Sequence, residues 1–326
     1  MLYLILFSSF IIAFSVTYIF VPFLCFFAKK LGVLDIPDGK LKTHVSATPY
    51  LGGIAVFCGF IISIILFFPF EKKYIPFFIG LMILLVLGFV DDIVQSRPYQ
   101  KFIGQVLASL LFLVAGLVIN IPHTSEILLV LVSFFWFLSV INAFNLVDVM
   151  DGLATILALT AASSFFVLAV FFSQYEAMIF LSALIGALVA FFRYNKPPAL
   201  IYLGDSGALF IGGCCAAIPM LLPLTSINPH GYLAPAGILG IVLLEGFSLI
   251  IIRIYKKIPF YLGSPDHFYI YLQKKGFSKI QILWYVGSMS TVASIVACLF
   301  TFSYINLASV IIAALLFLTT WFLVLI

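Results

Sequence analysis

Asn142–Ala154 reads N-A-F-N-L-V-D-V-M-D-G-L-A. The stretch joins the end of one long apolar run to the start of the next, and it sets Asn142, Asn145, Asp148 and Asp151 three residues apart. A charged side chain at mid-bilayer costs about 2.5–3.5 kcal/mol on insertion scales, and less near the interface. Carboxylates kept beside apolar runs therefore need a compensating partner. Positions three apart are neighbours on a helix, but each step slips by about 60° because a turn takes roughly 3.6 residues. Asn145 can share a face with Asp148, or Asp148 with Asp151; all four cannot share one face of a straight helix. The stretch is either a polar seam between helices or the wall of a pocket at which the helix breaks. In the second case the acids' partners are a divalent metal and a diphosphate.

The rest of the chain supports a membrane setting. Of 326 residues 64% are hydrophobic and only 9% charged, whereas soluble chains carry about 25% charge. Runs of about 20 apolar residues suffice to span a bilayer. Eleven candidates follow: 2–28, 50–70, 74–90, 102–120, 126–143, 153–173, 176–192, 206–224, 232–254, 280–300 and 304–326. Pro22, Pro219, Pro223 and Pro235 predict kinks in or near spans. The expected fold is an all-α polytopic membrane protein, one transmembrane domain over residues 1–326, with the connection 255–279 contributing to its site. The N-terminus shows no basic region before its apolar run, so no cleavable signal peptide is expected. The five cysteines lie in apolar runs without metal or redox spacing and read as core or lipid-facing residues.

Charge sets the orientation. With eleven spans, fourteen of the sixteen Lys and Arg fall on odd-numbered connections, against only Lys72 and Lys73 opposite. The positive-inside rule then puts the odd connections in the cytoplasm and the N-terminus outside. All eight aspartates also fall in or beside these connections. Acids contribute little to topology, so their one-sidedness points to a cytoplasmic site built from Asp. The net charge of +4 reflects loop lysines beside a membrane and carries no nucleic-acid footprint.

Four further segments carry polar chemistry. Leu41–Gly53 holds Lys42, His44 and a Gly52-Gly53 pair opening a span; glycines at a helix start let backbone N–H groups approach an anion, or they merely end a basic loop. Gly88–Pro98 ends a span with adjacent Asp91 and Asp92, followed by Arg97 and Lys101. Two carboxylates at ~4 Å repel by about 4 kcal/mol at an effective dielectric near 20, which a basic neighbour, a proton or a metal relieves. Arg193–Gly212 holds Arg193, Asn195 and, before a Gly-rich span, Asp205, whose plain reading is an N-cap. The basic connection Arg253–Lys279 contains S-P-D-H-F at Ser264–Phe268, with His267 beside Asp266.

Together, T-P-Y-L-G-G, V-D-D-I, N-A-F-N-L-V-D-V-M-D-G-L-A and N-K-P-P-A-L-I-Y-L-G-D-S-G-A-L-F-I-G, in this order, resemble the polyprenyl-phosphate N-acetylhexosamine-1-phosphate transferase family. Glycosyltransferase family 4 is its other name, and both phospho-GlcNAc transferases and the phospho-MurNAc-pentapeptide translocase belong to it. The resemblance implies transfer of a HexNAc-1-phosphate from a UDP-sugar to polyprenyl phosphate, with release of UMP. It implies Mg²⁺, or Mn²⁺ in its place, a bacterial cytoplasmic membrane, and two substrates as partners; a homodimer is compatible with it. By likeness Asp91, Asp92, Asp148 and Asp151 are catalytic, and Asp205, Asp148 and Asp91 bind the metal. Lys42, His44, Asn145, Arg193, Asn195, Asp266 and His267 contact substrate. The chain departs from the family's S-P-D-x-x-H-x-H-H signature, with Tyr269, Tyr271 and Leu272 where the histidines stand. That departure argues against the pentapeptide translocase; the eleven-span count resembles the phospho-GlcNAc branch, and UDP-GlcNAc is the expected donor. A secondary transporter is the alternative, since intramembrane acids also mark ion paths; it would show paired halves with interrupted helices.

Overall fold

The computed structural model describes residues 1–35, 47–94, 96–257 and 266–325. Lys42, His44, Ser264 and Pro265 lie outside the described residues. Thirteen α-helices are described: α1 (Leu2–Leu31), α2 (Gly52–Phe67), α3 (Ile75–Val94), α4 (Pro98–Val114), α5 (Glu126–Val147), α6 (Leu153–Phe171), α7 (Tyr175–Asn195), α8 (Gly204–Ala217), α9 (Ala234–Ile238), α10 (Gly240–Tyr255), α11 (Phe268–Lys274), α12 (Lys279–Thr301) and α13 (Leu307–Leu325). A two-residue antiparallel pair, β1 (Leu34–Asp35) and β2 (Thr48–Pro49), joins Leu34 to Pro49 and Asp35 to Thr48.

Each of the eleven expected stretches carries one of these helices or the α9–α10 pair. Seven helices are long and apolar enough to cross a membrane, or up to eight with the bent pair as one span. Three further apolar helices, Gly52–Phe67, Pro98–Val114 and Leu307–Phe322, are shorter. The chain is thus an all-helical, multi-pass membrane protein. Large apolar side chains such as Phe7, Ile19, Ile65, Leu131 and Ile312 project from the outside of the bundle, as they would toward lipid. Among the described residues one span is broken: α9 and α10 meet at 69°, beside Pro235, while Pro219 sits in a 3₁₀ turn after α8. The five cysteines are free thiols, with Cys214 and Cys215 buried.

The core is organised around α8, which is buried from Ser206 to Ala217 and packs on α2, α3 and α5. Its sequence, G-D-S-G-A-L-F-I-G-G-C-C-A-A, explains this position, because small residues let helix backbones approach closely. The closest approach is to α2. A Cβ on Gly53 would lie 2.1 Å from the backbone nitrogen of Gly207. The Gly52 and Gly53 amides donate to the Tyr202 and Leu203 carbonyls at 3.0 and 2.8 Å. The glycine pair is therefore a helix-crossing contact and not the anion cradle considered for it, since those N–H groups are already bonded.

Candidate active site

The last turn of α3, the first turn of α4, the last turn of α5 and the start of α8 meet at one end of the bundle. The Lys101 ammonium sits between three oxygens there: Asp91 Oδ2 at 3.0 Å, Asp205 Oδ2 at 2.5 Å and Asn145 Oδ1 at 3.4 Å. Asn145 turns its amide nitrogen the other way, donating to Asp205 Oδ1 at 2.6 Å. Asp91 also accepts the Ser96 N–H at 2.7 Å. Residues 91, 101, 145 and 205 thus form one charged knot, in which a single ammonium is shared between two carboxylates. Sequence reasoning placed Lys101 only as a neighbour of the acidic pair; its contact with Asp205 could come only from the packing of α4 on α3 and α5, which both pack on α8.

Asp92 does a different job. Its carboxylate accepts the backbone N–H of Asp205 at 2.8 Å and of Ser206 at 3.1 Å. These are first-turn donors of α8, which have no partner within the helix. The N-cap role expected of Asp205 is thereby corrected. Asp205 is the second residue of α8, its N-cap position is Leu203, and no side chain of α8 itself caps the turn. The cap comes from α3, which leaves the Asp205 carboxylate free to face Lys101. Gly204 makes room: its φ is +73°, and a Cβ there would meet Asp92 Oδ2 at 2.8 Å.

The opening stretch divides as the helical slip requires. Asn142 donates to Gln105 Oε1 at 2.8 Å and belongs to a seam with α4, away from the knot. α5 ends at Val147, and Asp148 has a non-helical ψ of 60°. Gly152, with φ +76°, then starts α6. The turn turns Asp148 and Asp151 to different partners. Asp148 lines the cleft; loss of solvent and the neighbouring carboxylates of Asp205, Asp92 and Asp151 push its carboxyl well above the ordinary range. Asp151 is paired with Lys279 at 3.2 Å and accepts the Ala199 N–H at 3.3 Å.

Several of these acids open onto one cleft. Asp92, Asp148, Asp151 and Asp205 line it together with Tyr50, Tyr202, Tyr269, Gln273 and Lys279. Sequence reasoning missed all five of the latter. An aromatic residue in an apolar chain carries no signal of its own, and only the fold shows which tyrosines are turned inward. Burial pushes the Tyr269 phenol up to about 12, so it stays protonated and can donate.

The remaining expected residues are placed as follows. Asn195 lines the cleft with both ends of its amide engaged, accepting from Thr155 Oγ1 at 2.8 Å and donating to the Ile201 carbonyl at 3.0 Å. Arg193 is exposed at the end of α7, outside the cleft lining. Asp266 is buried and pairs with Lys256 at 2.5 Å, and His267 turns inward to Glu245 at 3.1 Å.

Among the described residues no three His, Cys, Asp or Glu side chains form a metal site. Mg²⁺ does not require one: it is commonly held by one or two carboxylates, with waters and substrate phosphates completing its shell. Asp91 and Asp205, already converging on a cation in the form of the Lys101 ammonium, fit that donor set. The negative surplus around Asp148 also favours a cation nearby.

Residues 74–222, which hold the whole knot, match the model of "Glycosyl transferase family 4". A Listeria monocytogenes serovar 1/2a protein named "Phospho-N-acetylmuramoyl-pentapeptide-transferase" is 32% identical over 326 residues, covering 90% of this chain and 98% of its own. The chain belongs to glycosyl transferase family 4. This family 4 chain is also similar to a Lactiplantibacillus plantarum protein with the same printed name, at 29% over 322 residues (89% of this chain, 96% of the relative). A Bacillus subtilis protein named "Probable undecaprenyl-phosphate N-acetylglucosaminyl 1-phosphate transferase" is 26% identical over 300 residues, covering 88% and 84%. Relatives from both branches therefore match. The pentapeptide transferases show the higher identity, the reverse of the order that the last loop's departed signature suggests.

Proposed function

We propose that this protein transfers a HexNAc-1-phosphate from a UDP-N-acetylhexosamine to a polyprenyl phosphate, an early membrane step in building a cell-wall or surface polysaccharide. An oxygen of the polyprenyl phosphate attacks the sugar-bearing phosphorus of the UDP-sugar. The new P–O bond forms as the bond to the bridging oxygen breaks, and UMP leaves. One phosphoanhydride replaces another, and the acceptor is already ionised, so a strong general base is not required. The observation that carries this reading is the knot of Lys101, Asp91, Asn145 and Asp205, whose Asp205 also lines an acid-rich cleft.

Phosphoryl transfer depends mainly on positioning and charge neutralisation. Lys101 offers an ammonium where a phosphate can exchange for a carboxylate. Asn145 orients Asp205, and Asp92 holds the turn that carries it. Mg²⁺, held by Asp205 and Asp91, would neutralise charge on the diphosphate. The lysine and arginine bias supports a cytoplasmic cleft in a bacterial inner membrane.

For the sugar we propose UDP-N-acetylglucosamine, on the strength of the Tyr269–Leu272 departure from the histidine signature. The second reading is UDP-N-acetylmuramoyl-pentapeptide, which the higher identity to the Listeria relative favours. The test is Mg²⁺-dependent UMP release in detergent with undecaprenyl phosphate and a panel of UDP-sugars. UMP from one of them supports the transferase and names the sugar. No UMP from any, with solute uptake in proteoliposomes, would replace this reading with a transporter.

A further inference from the structure

Glu245 sits midway along α10 in the run I-V-L-L-E-G-F-S-L, where an isolated carboxylate is costly. It is not isolated. Its Oε1 accepts the backbone N–H of Phe268 at 3.1 Å and lies 3.1 Å from Nδ1 of His267. Both side chains are 7% exposed. A carboxylate oxygen accepts, so Oε1 can take the Phe268 amide proton and a proton from Nδ1 together. The Phe268 amide is one of the first-turn donors of α11 that lack a partner in their own helix.

A second, independent contact holds Phe268 through its ring. The Phe268 ring stacks on Trp321 of α13, with centroids 3.7 Å apart and planes 7° from parallel. Trp321 is buried, and its indole nitrogen donates to Ser248 Oγ at 3.0 Å, three residues beyond Glu245 on α10. The start of α11 is thus pinned between a carboxylate in one span and an indole in the last. Tyr269, next to Phe268, and Gln273, one turn further along α11, line the cleft together with Asp92 and Asp205. His267 and Phe268 do not line the cleft themselves.

We propose that Glu245 is a positioning residue for sugar-nucleotide recognition: through His267 and Phe268, and together with Trp321, it fixes α11 so that Tyr269 and Gln273 meet the substrate. This rests on the reading that the cleft binds a UDP-sugar. The geometry demands an acceptor at Oε1 and not a charge, so Gln at 245 replaces Glu while Ala does not. The role is recognition, and its loss falls on KM.

The experiment compares wild type, Glu245→Ala, Glu245→Gln and Trp321→Leu in detergent, by UMP release and by amide hydrogen exchange of residues 268–274. Glu245→Ala should raise KM for the sugar nucleotide by about tenfold with kcat within about threefold. Glu245→Gln should stay within about threefold of wild type on both. Trp321→Leu, which leaves the polar contact in place, should raise KM in the same sense and keeps the test alive if Glu245→Ala does not fold. Exchange across 268–274 should quicken in Glu245→Ala and Trp321→Leu, and not in Glu245→Gln. An unchanged KM in both disrupting variants, a loss confined to kcat, or a Gln variant as damaged as the Ala variant would overturn the proposal. Wild type that releases no UMP defeats the transferase reading, whereas the exchange result tests the clasp without reference to activity.

Discussion

Asp92 caps the helix that carries Asp205: a side chain of α3 accepts the Asp205 and Ser206 amides of α8 at 2.8 and 3.1 Å. Two adjacent acids in the sequence are thereby separated in role. Asp91 takes part in the charged knot, and Asp92 builds the turn on which Asp205 stands. Asp92→Ala should remove about 0.5–2 kcal/mol of stability, the usual range for a lost cap, and should lower UMP release by displacing Asp205. Asp92→Asn keeps one acceptor oxygen and should retain most of the stability. Thermal unfolding in detergent alongside the UMP assay checks both.

Lys101 links Asp91, Asn145 and Asp205. Lys101→Met should leave the protein inserted and folded while UMP release falls on the order of 10²-fold, the scale of losing one preorganised donor to a developing anion. Wild-type turnover in that variant would remove Lys101 from the reaction centre.

Asp205→Asn should abolish turnover while the protein still inserts. The amide can keep its contact with Lys101, so a stable but inactive protein separates the charge of Asp205 from its packing. Full activity in the variant would remove Asp205 from the metal site.

The raised carboxyl of Asp148 has a consequence for stability. A carboxyl whose folded pKa exceeds its unfolded value keeps its proton longer when folded. Its contribution is most favourable near or below the unfolded value of about 3.9 and is lost as pH rises toward the folded value. In chelator, the melting temperature should therefore fall with rising pH above about 4, and Asp148→Asn should flatten that slope. Equal slopes in the two proteins would show that Asp148 is not the group responsible.

Gly53→Ala tests the crossing of α2 and α8. The new Cβ would sit 2.1 Å from the backbone nitrogen of Gly207 and 2.4 Å from its Cα, and backbone cannot rotate aside as a side chain can. Monodisperse protein should be largely lost on size-exclusion chromatography. Normal yield would mean that the two helices can move apart without consequence.

Particular residues show how far sequence reading reached. Asp91, Asn145, Asp148 and Asp205 are legible because polar groups in so apolar a chain stand out, Asn145 and Asp148 also by their helical spacing. Asn142 carries the same signal and belongs to a seam, since a helical repeat shows which residues are polar but not which neighbour each one meets. Tyr202, Tyr269 and Gln273 carry no such signal. Glu245 interrupts an apolar run, but the run does not name its partners, which lie 22 and 23 residues further along the chain.

The sequence by itself determined that this chain is an all-helical membrane protein of glycosyl transferase family 4. Hydrophobic run length and the cost of burying charge act locally, so they can be read residue by residue. Only the tertiary structure decided how the acids divide their work: Asp91 and Asp205 around Lys101, Asp92 as the cap of another helix, Asp151 held by Lys279, and Glu245 beneath α11. Hydrogen bonds and ion pairs act over about 3 Å, and which groups come that close depends on how the helices cross, which no single stretch of sequence contains.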